Sequence, residues 1–211
     1  MGRKTNTRQL IIEAAINEFL EKGYENTTLR NICKKANTTT GSFYFFFKDK
    51  DELFKEIVSP LEKNIDYILS NMLDSHNTLS NFTTTPIIVD KNDIITNFKY
   101  IFSVFMQYQK EAIILFNKSQ KSYKENFLNS IIESYTQANL KFLLELKLRN
   151  HIASSINEYS LKLYFKCFFT AFIDLVTSNL SYDEMEEQLQ FLISMVYGSW
   201  EELFNNHFNK K

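Results

Sequence analysis

The side chains best equipped for catalysis are few and scattered along this chain. Its three histidines, His76, His151 and His207, have no second histidine at i+3 or i+4, the spacing that sets two imidazoles around a zinc ion. Cys33 and Cys167 are too far apart for a metal or disulfide framework and fit a reduced setting. The run Asp183, Glu184, Glu186 and Glu187 looks like a carboxylate site. Acids in the first turn of a helix, however, simply complement its dipole. Asp174 is the carboxylate embedded in a strongly apolar stretch, Phe165 to Val176, and it has no titratable partner at catalytic spacing. A Gly-rich phosphate loop is missing from the sequence. No catalytic residue, bound metal or cofactor is therefore expected.

With catalysis set aside, charge and composition suggest what the chain meets. Residues 1–50 hold 9 Lys/Arg against 5 Asp/Glu, a net +4, while residues 51–211 carry −5. A basic head on an acidic body suits a head that meets a polyanion. Only 4 Gly and 2 Pro punctuate the sequence, which favours long helices over a sheet with many tight turns. The 20 Phe and 11 Tyr promise an aromatic core or an aromatic-lined cavity. Glu13 interrupts the apolar run behind Arg3, Lys4 and Arg8, so that run is no secretory signal. No stretch reaches the roughly 18 uncharged apolar residues of a membrane span. A cytoplasmic protein is expected.

The head divides into four helical patterns. Leu10, Ile11, Ala14, Ala15, Phe19 and Leu20 share one face, and Gly23 sits where that helix should end. Thr28 can cap a second helix whose apolar face is Leu29, Ile32, Cys33 and Ala36. Asn37 tolerates the left-handed turn that must follow. Thr39 can cap a third helix from Thr40 to Phe46 or Phe47, and Asp49 with Glu52 forms a box opening a fourth. A helix, a short turn without proline and a second short helix have the dimensions of a helix-turn-helix.

The run from Gly23 to Ile32, continued by Ala36-Asn37-Thr38-Thr39-Thr40-Gly41-Ser42-Phe43-Tyr44-Phe45-Phe46-Phe47-Lys48-Asp49-Lys50 and on to Phe54, resembles the signature of the TetR family of transcriptional regulators. The resemblance spans about a quarter of the chain, from near Thr7 to Phe54. It implies an all-α protein: a three-helix helix-turn-helix DNA-binding domain at 1–50 and a helical bundle for ligand binding and dimerisation at 51–211. It implies that Thr28, Tyr44 and Lys50 contact phosphates, and that Thr39 and Lys48 belong to the DNA-binding set. Arg30, Thr40, Gly41, Ser42, Phe45 and Phe46 then face the groove or its rim, while Phe43 and Phe47 pin the third helix to the first. Thr40 stands where the family commonly has a long polar side chain. Phe45 and Phe46 stand where it has Tyr or His, which leans toward an A·T-rich operator.

In the body, Pro60 should kink the fourth helix near Ser59. Residues 77–90 read as the longest loop, and helical patterns return at 91–109, 111–118, 122–149, 157–180 and 183–206. Leu161, Phe165, Phe168 and Phe172 form one 4-3 seam; Leu189, Leu192, Val196 and Leu203 form another, with Trp200 beside it. The resemblance makes these the interface of a homodimer, as a palindromic operator demands; a hairpin buried within one chain is the alternative. Phe102, Phe105, Met106, Tyr108, Phe116, Asn117, Tyr135 and Asn139 are the candidate walls and polar groups of an effector pocket. The expected partners are double-stranded operator DNA, a second copy of the chain, and a small-molecule effector, apolar or aromatic in character; no membrane is expected. The expected function is a ligand-released repressor. An adaptor of the same fold controlled by a protein partner, or a helical enzyme using the inner pocket, are the competing classes.

Overall fold

The computed structural model describes residues 2–79, 91–148 and 157–208, and among them the regular structure is entirely helical. The head forms as its caps dictate. α1 (Gly2–Asn26) bends at Gly23, whose backbone (φ 77°, ψ 166°) lies in a region essentially reserved for glycine. Gly23 thus breaks the regular helix where the sequence places its end, and a short helical segment to Asn26 follows. α2 (Leu29–Lys35) is capped by Thr28, whose hydroxyl accepts from the Asn31 N–H at 3.3 Å. Asn37 then turns the chain at φ 48°. α3 (Thr40–Phe46) is capped by Thr39, which accepts from the Ser42 N–H at 3.1 Å. α4 (Lys50–Leu79) opens on the expected box: Asp49 accepts from the Glu52 N–H, and Glu52 reaches back to the Lys48 N–H. Pro60 lies inside this helix, which continues past it.

The remaining helices are α5 (Lys91–Gln107), α6 (Gln109–Ile113), α7 (Lys121–Leu148), α8 (Glu158–Val176) and α9 (Tyr182–Phe208). Between α6 and α7, Ile114–Lys118 forms a π-helical turn that the apolar periodicity did not distinguish from an α-helix. α4 runs to Leu79, so the first residues of the expected 77–90 loop are helical; residues 80–90 lie outside the described residues. Ser181 and Glu184 cap α9 reciprocally, which accounts for the acidic cluster there as a helix start. None of the described helices is long and apolar enough to cross a membrane.

By packing, the chain divides into two compact units. Residues 1–64 with 105–125 form one, and residues 65–104 with 126–211 form the other. The first unit has an aromatic centre. Phe19 stacks on Tyr24 at 5.7 Å, Phe54 meets both edge-on, and Tyr123 meets Phe54 at 5.1 Å. Ile114, Leu115 and Phe116 of the π turn are also buried in it, and α1 packs against that turn.

In the second unit α8 and α9 pack together. The seam residues Leu161, Phe165, Phe168, Phe172, Leu189 and Val196 are buried within the single chain, and Leu192 is half-buried. The 4-3 spacing coincides with the packed faces of α8 and α9 within the single chain. The side chains of Trp200 and Leu203 lie outside the described residues. Exposed apolar groups lie on other faces of the same helices: Leu163 and Cys167 on α8, Phe191 and Met195 on α9. Asp174, expected in an apolar environment, points to solvent.

Candidate nucleic-acid interface

A seven-residue helix exposes most of its surface unless something anchors it. Phe43 and Phe47 supply the anchor: both are buried, their rings 5.6 Å apart, and the Arg8 guanidinium of α1 lies over the Phe47 ring at 5.2 Å. Full burial of one such phenyl ring stabilises by roughly 1.5–3 kcal/mol. With about 100° between successive helical residues, the face opposite Phe43 and Phe47 is centred on Gly41 and Phe45. Thr40 and Tyr44 flank it on one side, Ser42 and Phe46 on the other.

Most of these residues are exposed. Tyr44 and Phe45 are 60% and 66% exposed, far more than core aromatics. Phe46 is half-buried and meets the Phe45 ring edge-on at 4.9 Å. Thr28, Arg30, Thr39, Thr40 and Lys48 are exposed as well. Gly41 is required by nothing inside the chain. A Cβ built there would meet only the Thr39 hydroxyl, at 3.7 Å, and its φ is ordinary.

Lys50 is placed differently from its expected phosphate role. Its ammonium donates to the Tyr24 carbonyl at 2.7 Å and the Thr27 carbonyl at 2.9 Å, and lies 4.1 Å from the centre of the Tyr24 ring. Burial holds its pKa below the ordinary lysine value, against the opposing pull of Glu25. In this geometry Lys50 ties the start of α4 to the turn between α1 and α2. Sequence spacing could not reveal this, because the acceptors are backbone carbonyls more than twenty residues away.

A second polar group behind the interface also escaped the sequence reading. Glu18 is buried and accepts from Lys22 at 2.8 Å and Lys35 at 3.0 Å, joining α1 to α2. The bond from Lys22, helped by that from Lys35, holds its carboxyl below the ordinary value even though burial pushes the other way.

The expected effector-pocket residues do not gather in one unit. Phe105, Met106, Tyr108, Phe116 and Asn117 belong to the first, where Phe105 and Phe116 are buried core rings and Asn117 is exposed. Phe102, Tyr135 and Asn139 are buried in the second. There Phe102 packs against Tyr182, Tyr135 meets Phe165 and Phe169, and the Asn139 amide donates to the Tyr135 carbonyl. A cleft of about 190 Å³ in the first unit is lined by Tyr24, Asp51, Phe54, Lys55, Gln120 and Tyr123, none of them expected.

Comparison with known proteins agrees with this geometry. Residues 11–57 match the family model described as bacterial regulatory proteins, tetR family. The HTH-type transcriptional regulator AcrR of Shigella flexneri is 43% identical over 70 residues, 31% of this chain and 33% of its own. The biofilm operon icaADBC negative transcriptional regulator IcaR of Staphylococcus epidermidis is 31% identical over 132 residues, 60% of each chain. The match to AcrR thus spans about a third of that relative's length, and the match to IcaR somewhat more than half. Among solved structures, NalD of Pseudomonas aeruginosa, the secondary repressor of the MexAB-OprM multidrug efflux pump, superposes with a TM-score of 0.62 at 16% identity, covering 93% of this chain and 96% of that one. A regulator of the TerR/AcrR family from Aquifex aeolicus does so with a TM-score of 0.57 at 20% identity, covering 90% and 99%. Residues 11–57 thus match the DNA-binding segment of the tetR family, and the described helices share the fold of these solved regulators.

Proposed function

We propose that the protein is a homodimeric transcriptional repressor that binds a palindromic operator through α3 and is released by a small molecule. The carrying observation is the outward face of α3, which exposes Tyr44 and Phe45 around a glycine that the chain itself does not need. Such a face lets backbone and rings approach a major groove closely. Thr28, Thr39, Tyr44 and Lys48 would position it on phosphates, and Arg30, Thr40, Ser42, Phe45 and Phe46 would lie at the groove. AcrR, IcaR and NalD carry names of regulators or repressors, which supports the same reading.

Dimerisation would use the outward stripe of α8 and α9 in place of the buried seams. Leu163, Phe191 and Met195 are each more than half exposed, and a Cβ at Gly198 would meet nothing within 4 Å, which suits close approach of a second helix. The effector would be apolar or aromatic and neutral or cationic, given the acidic body, and would bind among the helices of the second unit. α4 contributes to both units and contains Pro60. A ligand favouring another course of this helix would move paired α3 helices off the roughly 34–36 Å repeat of the groove.

The test is a gel-shift titration with DNA from upstream of the protein's own coding sequence, in excess nonspecific competitor. The expected result is a saturable complex containing two chains that hydrophobic cations dissociate. Binding that the competitor abolishes at every concentration would reject the repressor reading.

A further inference from the structure

The chemistry of α3 goes further and names what the operator must contain. Its seven residues are Thr-Gly-Ser-Phe-Tyr-Phe-Phe, with no Arg, Lys, Asn, Gln, Asp or Glu. Those six types make the paired hydrogen bonds that identify guanine, adenine or cytosine from the major groove. Two of the hydroxyls at the helix start are engaged with each other: Thr39 caps the Ser42 N–H, and the Thr39 and Ser42 oxygens lie 3.1 Å apart, while the exposed Thr40 hydroxyl sits at the edge of the face. What remains at the centre of the outward face is apolar. Side chains on a helix lean toward its N-terminus, which directs the exposed Phe45 toward the turn of Gly41, where a Cβ would meet only the Thr39 hydroxyl at 3.7 Å. Phe46 buttresses that ring edge-on at 4.9 Å.

We infer that α3 reads its operator through the C5-methyl groups of thymine, with Phe45 as the specificity-determining residue. This rests on the operator-binding reading above and adds the base class to it. Thymine is the base that presents a methyl group to the major groove, and a phenyl ring buries a methyl while offering nothing to a guanine edge. Arg30 and Lys48 lie outside α3 and supply charge, while Phe45 supplies the choice. The operator half-site is then A·T-rich where α3 sits.

The experiment uses the full chain and a duplex it has selected from a random pool. The same duplex is resynthesised with deoxyuridine in place of thymidine, which removes the methyls and keeps every base pair. Affinity is expected to fall about fourfold for each methyl in contact. The Phe45→Ala chain should bind the thymine and uracil duplexes alike; Phe45 is exposed, so folding is not at stake. If the parent binds both duplexes equally but still prefers them to a scrambled duplex, the thymine inference falls and the regulator reading stands. If Phe45→Ala keeps the parent's thymine preference, Phe45 is not the reader. If the parent shows no preference for the selected duplex over the scrambled one, the regulator reading itself falls, and this inference with it.

Discussion

At the scale of single residues, the head separates side chains that hold the fold from side chains left exposed on α3. Tyr44 is exposed and Lys50 is tied to two carbonyls, although both stand at positions expected to meet phosphate. Tyr44→Ala should leave the melting temperature unchanged and weaken binding to all duplexes alike while keeping the salt slope, since a phenol neutralises no phosphate. Lys50→Met should instead cost roughly 1–3 kcal/mol of stability, since two carbonyls lose a charged donor. Thermal melts beside salt titrations tell the two apart; equal melting temperatures for both variants would contradict the assignment. Glu18 gives the head a pH signature. Its folded pKa is lowered, so its contribution is present above its ordinary value of 4.5 and is lost as pH falls through the folded value. Glu18→Gln should therefore destabilise by about 1–2 kcal/mol at pH 7, a figure reduced because both lysines reach solvent. The difference from the parent should close toward pH 3. A gap that persists there would show that packing rather than charge is responsible.

At the scale of elements, what the sequence made legible was local. Thr28, Thr39 and the Asp49/Glu52 pair act through hydrogen bonds within four residues, and each cap formed where spacing placed it. The α8 and α9 seams were equally visible as patterns, but a 4-3 spacing states only that a helix is packed, not whose helix it meets. The same limit hid the π turn at Ile114–Lys118, because its three buried residues are as apolar as any α-helical face. Gly23 breaks the regular helix at the position its place after Lys22 predicts. A Cβ there would sit an ordinary 3.5 Å from the Lys118 carbonyl, so the cost of a side chain comes from the backbone. Gly23→Ala should lose about 1–3 kcal/mol in denaturant unfolding. An unchanged midpoint would mean that the kink relaxes freely.

At the scale of the whole molecule, packing joins residues 105–125 to residues 1–64 in one compact unit. Long-range packing of this kind leaves no periodic trace, which is why the expected pocket residues fell into two units. The dimer proposed on the outward stripe makes a sharp contrast. Phe191→Asp should give a folded monomer at micromolar concentration in sedimentation equilibrium, since Phe191 is 65% exposed in the single chain. Leu189→Asp, two residues away and fully buried, should unfold the chain instead. A dimer that survives Phe191→Asp together with Met195→Asp would move the interface elsewhere.

The most direct test of the central claim, that the outward face of α3 reads DNA, is the ratio of affinities for a selected and a scrambled duplex at fixed salt. The parent should show a ratio on the order of 10³ or more. Gly41→Leu should collapse that ratio toward one while leaving the melting temperature intact, because a Cβ at Gly41 meets only the Thr39 hydroxyl at 3.7 Å. A parent ratio near one, or a full ratio retained by Gly41→Leu, would contradict the account.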